Sequence, residues 1–117
     1  MISSFDLAGH VYGIMINSDM TKEVMQESIA KIDEKLLDHE VINLYFEVEK
    51  GKRIEFDGFM ECLKYKYAHA KHFNKIPVVS DNKKFQMAVG ISDVFLSIDV
   101  RTFDLKERIE AIQWISE

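Results

Sequence analysis

The feature that most restricts how this chain can fold is the alternation of short apolar runs with amphipathic stretches of helical period. Ile2 to Leu7 and Val11-Tyr12-Gly13-Ile14-Met15-Ile16 read as two strands joined at Gly9-His10. A turn that tight favours antiparallel pairing. Thr21 predicts a helix N-cap, with Glu23 in the first turn, near the positive end of the helix dipole. Val24, Met25, Ile29, Ile32 and Leu36 then recur at three- and four-residue steps as one buried stripe. Val41 to Val48 is nearly unbroken in apolar residues and predicts a central strand covered on both faces. Phe56, Phe59, Met60, Leu63, Tyr67 and Ala70 return to helical spacing, and Ile76 to Ser80 is a further buried strand. Pro77 within it has no N–H for the ladder, so it is expected at the strand's beginning or at an unpaired position. Asp81 is read as the cap of a short helix carrying Phe85, Ala88 and Val89, closed by Gly90 in the left-handed conformation. Val94 to Val100 supplies the last strand. Asp104-Leu105-Lys106-Glu107 matches a capping box, and Leu105, Ile109, Ile112 and Ile115 form the apolar side of a final helix.

The order ββαβαβαβα follows. Strands alternating with helices need crossovers, which generate a mainly parallel sheet, and the early antiparallel strand belongs at an edge. The expectation is a mixed α/β layered fold, one domain over residues 1–117, a length that hides roughly two-thirds of its unfolded surface. Apolar residues make up 47% and charged residues 30%, which excludes a disordered or collagenous chain.

The net charge of −5 argues against a general nucleic-acid binder, which needs a cationic surface. That charge is unevenly spread. From Lys50 to Lys84 nine basic residues face four acidic ones, +5, while the remainder carries six against sixteen, −10. Such asymmetry marks either a solvated helix surface with a basic loop or a face for an anionic partner. The opening Met1-Ile2-Ser3-Ser4-Phe5-Asp6 has no basic stretch and no long apolar core, so no secretory leader is predicted and a cytoplasmic home is expected. The longest apolar run, Val11 to Ile16, is far too short to cross a bilayer.

Two stretches carry a family resemblance. One is Ile76-Pro77-Val78-Val79-Ser80-Asp81, preceded by His72-Phe73 and followed by Phe85 and Met87. The other is Val100-Arg101-Thr102-Phe103-Asp104-Leu105, then Glu110-Ala111-Ile112-Gln113-Trp114-Ile115. With the order of elements, they make the chain resemble a STAS domain, the fold of bacterial anti-sigma-factor antagonists, and more closely the SpoIIAA-like proteins. The N-terminal half resembles them in element order more than in motifs. Phe103 and Trp114 are expected to seal the last helix onto the sheet, and Arg101 to bridge an acid or face an anion.

The resemblance implies a switch in which a Ser or Thr at the start of the helix after the third strand is phosphorylated. The matching stretch, Glu55-Phe56-Asp57-Gly58-Phe59, has no hydroxyl, and no Ser or Thr occurs between Ser28 and Ser80. A kinase-controlled switch of that type is therefore not expected. CRAL-TRIO domains, similar in fold, bind lipids. The corresponding apolar lining here would be Phe56, Phe59, Met60, Leu63, Tyr67, Phe85 and Met87, since Met and aromatics adapt to irregular apolar guests. The same stripe also suits simple packing against the sheet. Lys64, Lys71, Lys75 and Arg101 are the candidate anchors for an anionic headgroup.

Cys62, His69 and His72 sit at helical spacing, but no fourth ligand accompanies them. Exposed histidines beside a half-buried thiol are expected rather than a zinc site. No GxSxG, phosphate-cradling glycine loop or HExxH occurs. Glu47 and Glu49 share one strand face and read as its solvated fringe. No catalytic residue, metal or cofactor is expected. The expected function is non-enzymatic binding of an apolar or amphipathic small molecule, beside a membrane surface or free of it. The alternative is a protein-interaction module, self-association through the edge strand or the second helix included.

Overall fold

The computed structural model describes residues 2–92 and 97–117. Its strands are β1 (Ile2–Ala8), β2 (Val11–Ile16), β3 (Asn43–Val48), β4 (Lys75–Val79) and β5 (Asp99–Phe103). Its α-helices are α1 (Lys22–Leu36), α2 (Phe56–Ala68), α3 (Lys83–Ser92) and α4 (Arg108–Ile115), with short 3-10 turns at Ala70–His72 and Leu105–Glu107. The strands lie in one sheet in chain order, β1-β2-β3-β4-β5. β1 runs antiparallel to β2, and the other neighbours are parallel.

This order explains where the helices go. A right-handed crossover always places its helix on the same side when the chain steps the same way along the sheet. Helices α1, α2 and α3 accordingly share one face, packing Met25, Ile32, Phe59, Cys62, Phe85 and Val89 over Ile14, Leu44, Phe46 and Val78. No crossover constrains α4, which follows the last strand. It covers the opposite face, where Ala111 and Ile115 pack with Val11, Tyr45 and Val79.

β3 is central and buried along its whole length, as the apolar run predicts. It begins at Asn43 rather than Val41. Ile42 makes only an isolated bridge with Phe73, and Val41 is exposed. Between that bridge and the β3–β4 ladder the register slips. The partner offset is 31 residues at Ile42–Phe73 (73 − 42) and 32 at Phe46–Val78 (78 − 46), one extra residue on the β4 side. Pro77 lies at this slip. On its β3 side the ladder starts only at Val78, which satisfies the unpaired position expected of it. The buried Asn43 repairs the gap: its Oδ1 accepts the Lys75 N–H at 3.1 Å and its Nδ2 donates to the Ile115 carbonyl at 3.4 Å.

Thr21 caps α1 as expected, its hydroxyl accepting the Val24 N–H. The capping box of Asp104 and Glu107 is also formed. The cap of α3 falls one residue later than read: Asn82 Oδ1 accepts the Phe85 N–H, while Asp81 Oδ1 accepts from Leu105 N at the start of the last helical segment. Gly90 lies inside α3 rather than closing it. Among the described residues only Gly51 has a positive φ, 81°. Of the strand expected over Val94 to Val100, Val94 to Leu96 lie outside the described residues, and β5 runs on to Phe103. The Phe5 ring from β1 lies over Gly13, where an added Cβ would meet its Cζ at 2.2 Å, so a side chain there would displace the ring. Among the described residues no helix is long and apolar enough to cross a membrane.

Replacing Asn43 by Leu keeps the volume but leaves the Lys75 N–H without its partner in the sheet interior. The expected loss is about 1–3 kcal/mol, read as a lowered urea midpoint with an unchanged slope.

Candidate functional site

Helix α2 carries apolar side chains on two sides, one of which packs into the core. Its inner side carries Gly58, Phe59, Cys62 and Tyr65. Gly58 lets the first turn press against the β2–α1 connection, where an added Cβ would meet the Met20 carbonyl oxygen at 2.2 Å. Phe59 meets Phe85 of α3 edge-on at 6.0 Å, and the Tyr65 hydroxyl donates to Asp33 of α1 at 2.6 Å. Burial, then the bond to Asp33, pushes the Tyr65 phenol far above its ordinary range.

These anchors point the helix's second stripe outward. Phe56 is 74% exposed, Met60 36% and Tyr67 48%, with Leu63 half-buried among them. The steps are four, three and four residues, so these side chains run as one ridge along the helix. Exposed apolar side chains scattered singly are ordinary, whereas these stand in one line along the helix. Met87, 68% exposed, stands on α3. Asp57 and Lys64 lie along the ridge's outer margin, and Glu61, beyond them, pairs with Lys64 at 3.2 Å.

The seven candidate lining residues therefore separate. Phe59 and Phe85 pack inward, whereas Phe56, Met60, Leu63 and Tyr67 form the outer ridge. Beneath the helices lies an apolar cavity of about 50 Å³. Met25, Ile29, Cys62 and Val89 are among its lining, and of the seven candidates only Phe85 joins them. Ligand pockets usually enclose about 300–1,000 Å³.

The four candidate headgroup anchors are also dispersed. Lys75 donates to the Trp114 carbonyl at 3.1 Å and lies over that indole at 5.4 Å. The Arg101 guanidinium covers the same ring at 4.6 Å, with Asp99 3.9 Å away. Both thus brace Trp114 on the α4 side of the sheet, with Phe103 6.2 Å from the indole. Lys64 belongs to the other layer, and Lys71 to the 3-10 turn after α2. These four anchors do not converge on one surface. Cys62 lines the cavity, His69 stacks on Tyr65 at 4.3 Å, and His72 Nδ1 bonds the Glu40 carbonyl oxygen at 2.8 Å.

Glu47 is not the solvated fringe expected of it. It is 3% exposed and accepts the Tyr45 hydroxyl at 2.5 Å and a bidentate pair from Arg108 at 2.9 and 3.1 Å. Desolvation and then the bond to Glu47 raise the Tyr45 phenol strongly, and the carboxylate holds the Arg108 guanidinium above its usual value. The sequence signal for this cluster is the alternation Asn43, Tyr45, Glu47 within β3, which places the strand's polar groups on the α4 face. It clamps α4 to the sheet.

Arg108→Met strands the Glu47 carboxylate in the interior. Because Arg108 is itself half-exposed, the loss is discounted from the buried-pair figure to about 2 kcal/mol at pH 7. Urea melts of the wild type and the variant at neutral pH give the comparison.

A family model described as SpoIIAA-like matches residues 11–116. Among solved structures, an uncharacterized protein of the DUF3478 family from Shewanella loihica PV-4, with a SpoIIAA-like fold, superposes with a TM-score of 0.71. The two are 12% identical, and the match covers 98% of this chain and 92% of that one, a likeness of fold. No curated protein matches the chain.

Proposed function

The chain belongs to the SpoIIAA-like family, and from that premise we propose that it is a non-enzymatic STAS-type module that docks onto another polypeptide through the outer ridge of α2. The observation that carries this reading is the ridge itself: exposed Phe56, Met60 and Tyr67 with half-buried Leu63 at 4-3-4 spacing, on a helix whose opposite side already serves the core. Helix-in-groove and helix-on-helix recognition use such spacing. Glu55 and Asp57 occupy the start of α2, so this docking works without a phosphorylated hydroxyl there. A negatively charged membrane is a poorer match, because Asp57 borders the ridge and the bordering Lys64 is already paired with Glu61.

The cavity supports a second reading, an apolar-ligand carrier. Its lining is almost wholly hydrophobic, and it lies between the sheet and all three crossover helices. At about 50 Å³ it would have to widen several-fold, with α2 lifting from the sheet.

Placing a photo-reactive phenylalanine analogue at Met60, and at exposed Lys31 of α1 as control, tests the docking reading in extracts of the source cell. A discrete adduct from position 60, competed away by unlabelled protein and absent from position 31, is the expected result. Lack of any adduct refutes docking through this ridge. Native mass spectrometry of freshly purified protein tests the carrier: a retained lipid-sized mass, expelled by filling the cavity through Ile29→Phe, supports it. A bare 13.6 kDa species counts against it.

A further inference from the structure

Resting on the docking reading, we infer that the polypeptide received by this ridge is a second copy of the chain, the two α2 helices packing antiparallel about a two-fold axis. The spacing Phe56, Met60, Leu63, Tyr67 is that of alternating d and a positions in a heptad, a seam that self-associating helices share. It spans roughly 16 Å, three helical turns. A two-fold axis between Met60 and Leu63 sets Phe56 against the partner's Tyr67 and Met60 against the partner's Leu63. Large rings meet at both ends and the ringless Met60 and Leu63 meet in the centre, each a or d side chain facing a hole of the other helix.

The charges select the same arrangement. In that heptad frame Asp57 and Lys64 both occupy e positions, and antiparallel pairing brings e positions of the two helices together. Asp57 of each copy then faces the partner's Lys64, giving two opposite-charge pairs related by the axis. Asp57 has no ion-pair partner among the described residues, and Lys64 is tied only to its exposed-helix neighbour Glu61. A parallel pairing would instead set Phe59 at position g against the partner's Lys64 and leave Asp57 without a cation. A three-turn seam lies at the small end of specific interfaces, so the dimer is expected in the micromolar range rather than as an obligate assembly.

Sedimentation velocity from about 1 µM to 1 mM reads this directly. The wild type is expected to dimerise reversibly. Asp57→Lys and Lys64→Asp should each weaken association roughly tenfold or more, by setting like charges face to face. The double variant Asp57→Lys/Lys64→Asp should return to within a few-fold of wild type, because the opposite-charge pairs are re-formed with sign reversed. Phe56→Glu, at a site the fold leaves exposed, should give a monomer with an unchanged thermal melt. A wild type that stays monomeric throughout, or a dimer indifferent to the charge exchange, overturns self-pairing. A monomer that still yields an adduct heavier than two chains at position 60 overturns self-pairing while leaving the docking reading standing. Monomer with no adduct overturns both.

Discussion

Strand β3 has no solvent face, and its polar residues must therefore find partners inside the protein. Six consecutive positions are buried, three of them bearing polar atoms: Asn43, Tyr45 and Glu47. Each polar group turns toward the α4 layer. Asn43 bonds the Ile115 carbonyl and the Lys75 N–H, while Glu47 gathers the Tyr45 hydroxyl and the Arg108 guanidinium. A buried polar atom left unpaired costs more than a formed bond gains, so these contacts specify where α4 can lie. On the opposite face Leu44, Phe46 and Val48 make no such directional demand, and the three crossover helices settle there by apolar packing.

That division explains why α2 can bear an apolar ridge on its outside. The crossover rule places it over the sheet, and its inner side supplies the core contacts through Phe59, Cys62 and Tyr65. Three further apolar side chains, Phe56, Met60 and Tyr67, stay exposed, with Leu63 half-buried among them. Hydrophobic side chains facing water in one line are costly to solubility. The cavity below α2 is too small to be an alternative destination for them.

Much of this was legible along the chain. Runs of period two and stripes of period 3.6 locate five strands and four helices, because those periods are imposed by backbone geometry alone. Thr21 and the Asp104-Glu107 box mark helix starts by local hydrogen bonds that need no tertiary partner. Less legible was the use of each face. Phe56, Phe59, Met60 and Leu63 look alike to a periodicity argument, since apolar residues around two-thirds of a helix do not declare which arc meets the sheet. Likewise Glu47, beside Glu49 in sequence, reads as fringe until Arg108, sixty-one residues away, arrives next to it.

The order of elements, their mainly parallel pairing and the choice of β3 as the central strand were determined by sequence alone, through short-range periodicity and the handedness of crossovers. The register slip at Pro77, the buried Glu47–Arg108 clamp and the outward aim of Phe56, Met60 and Tyr67 were decided only by the tertiary structure. These depend on which distant groups meet. Local propensity carries no information about a desolvated carboxylate's partner, or about which arc of a helix is left in water.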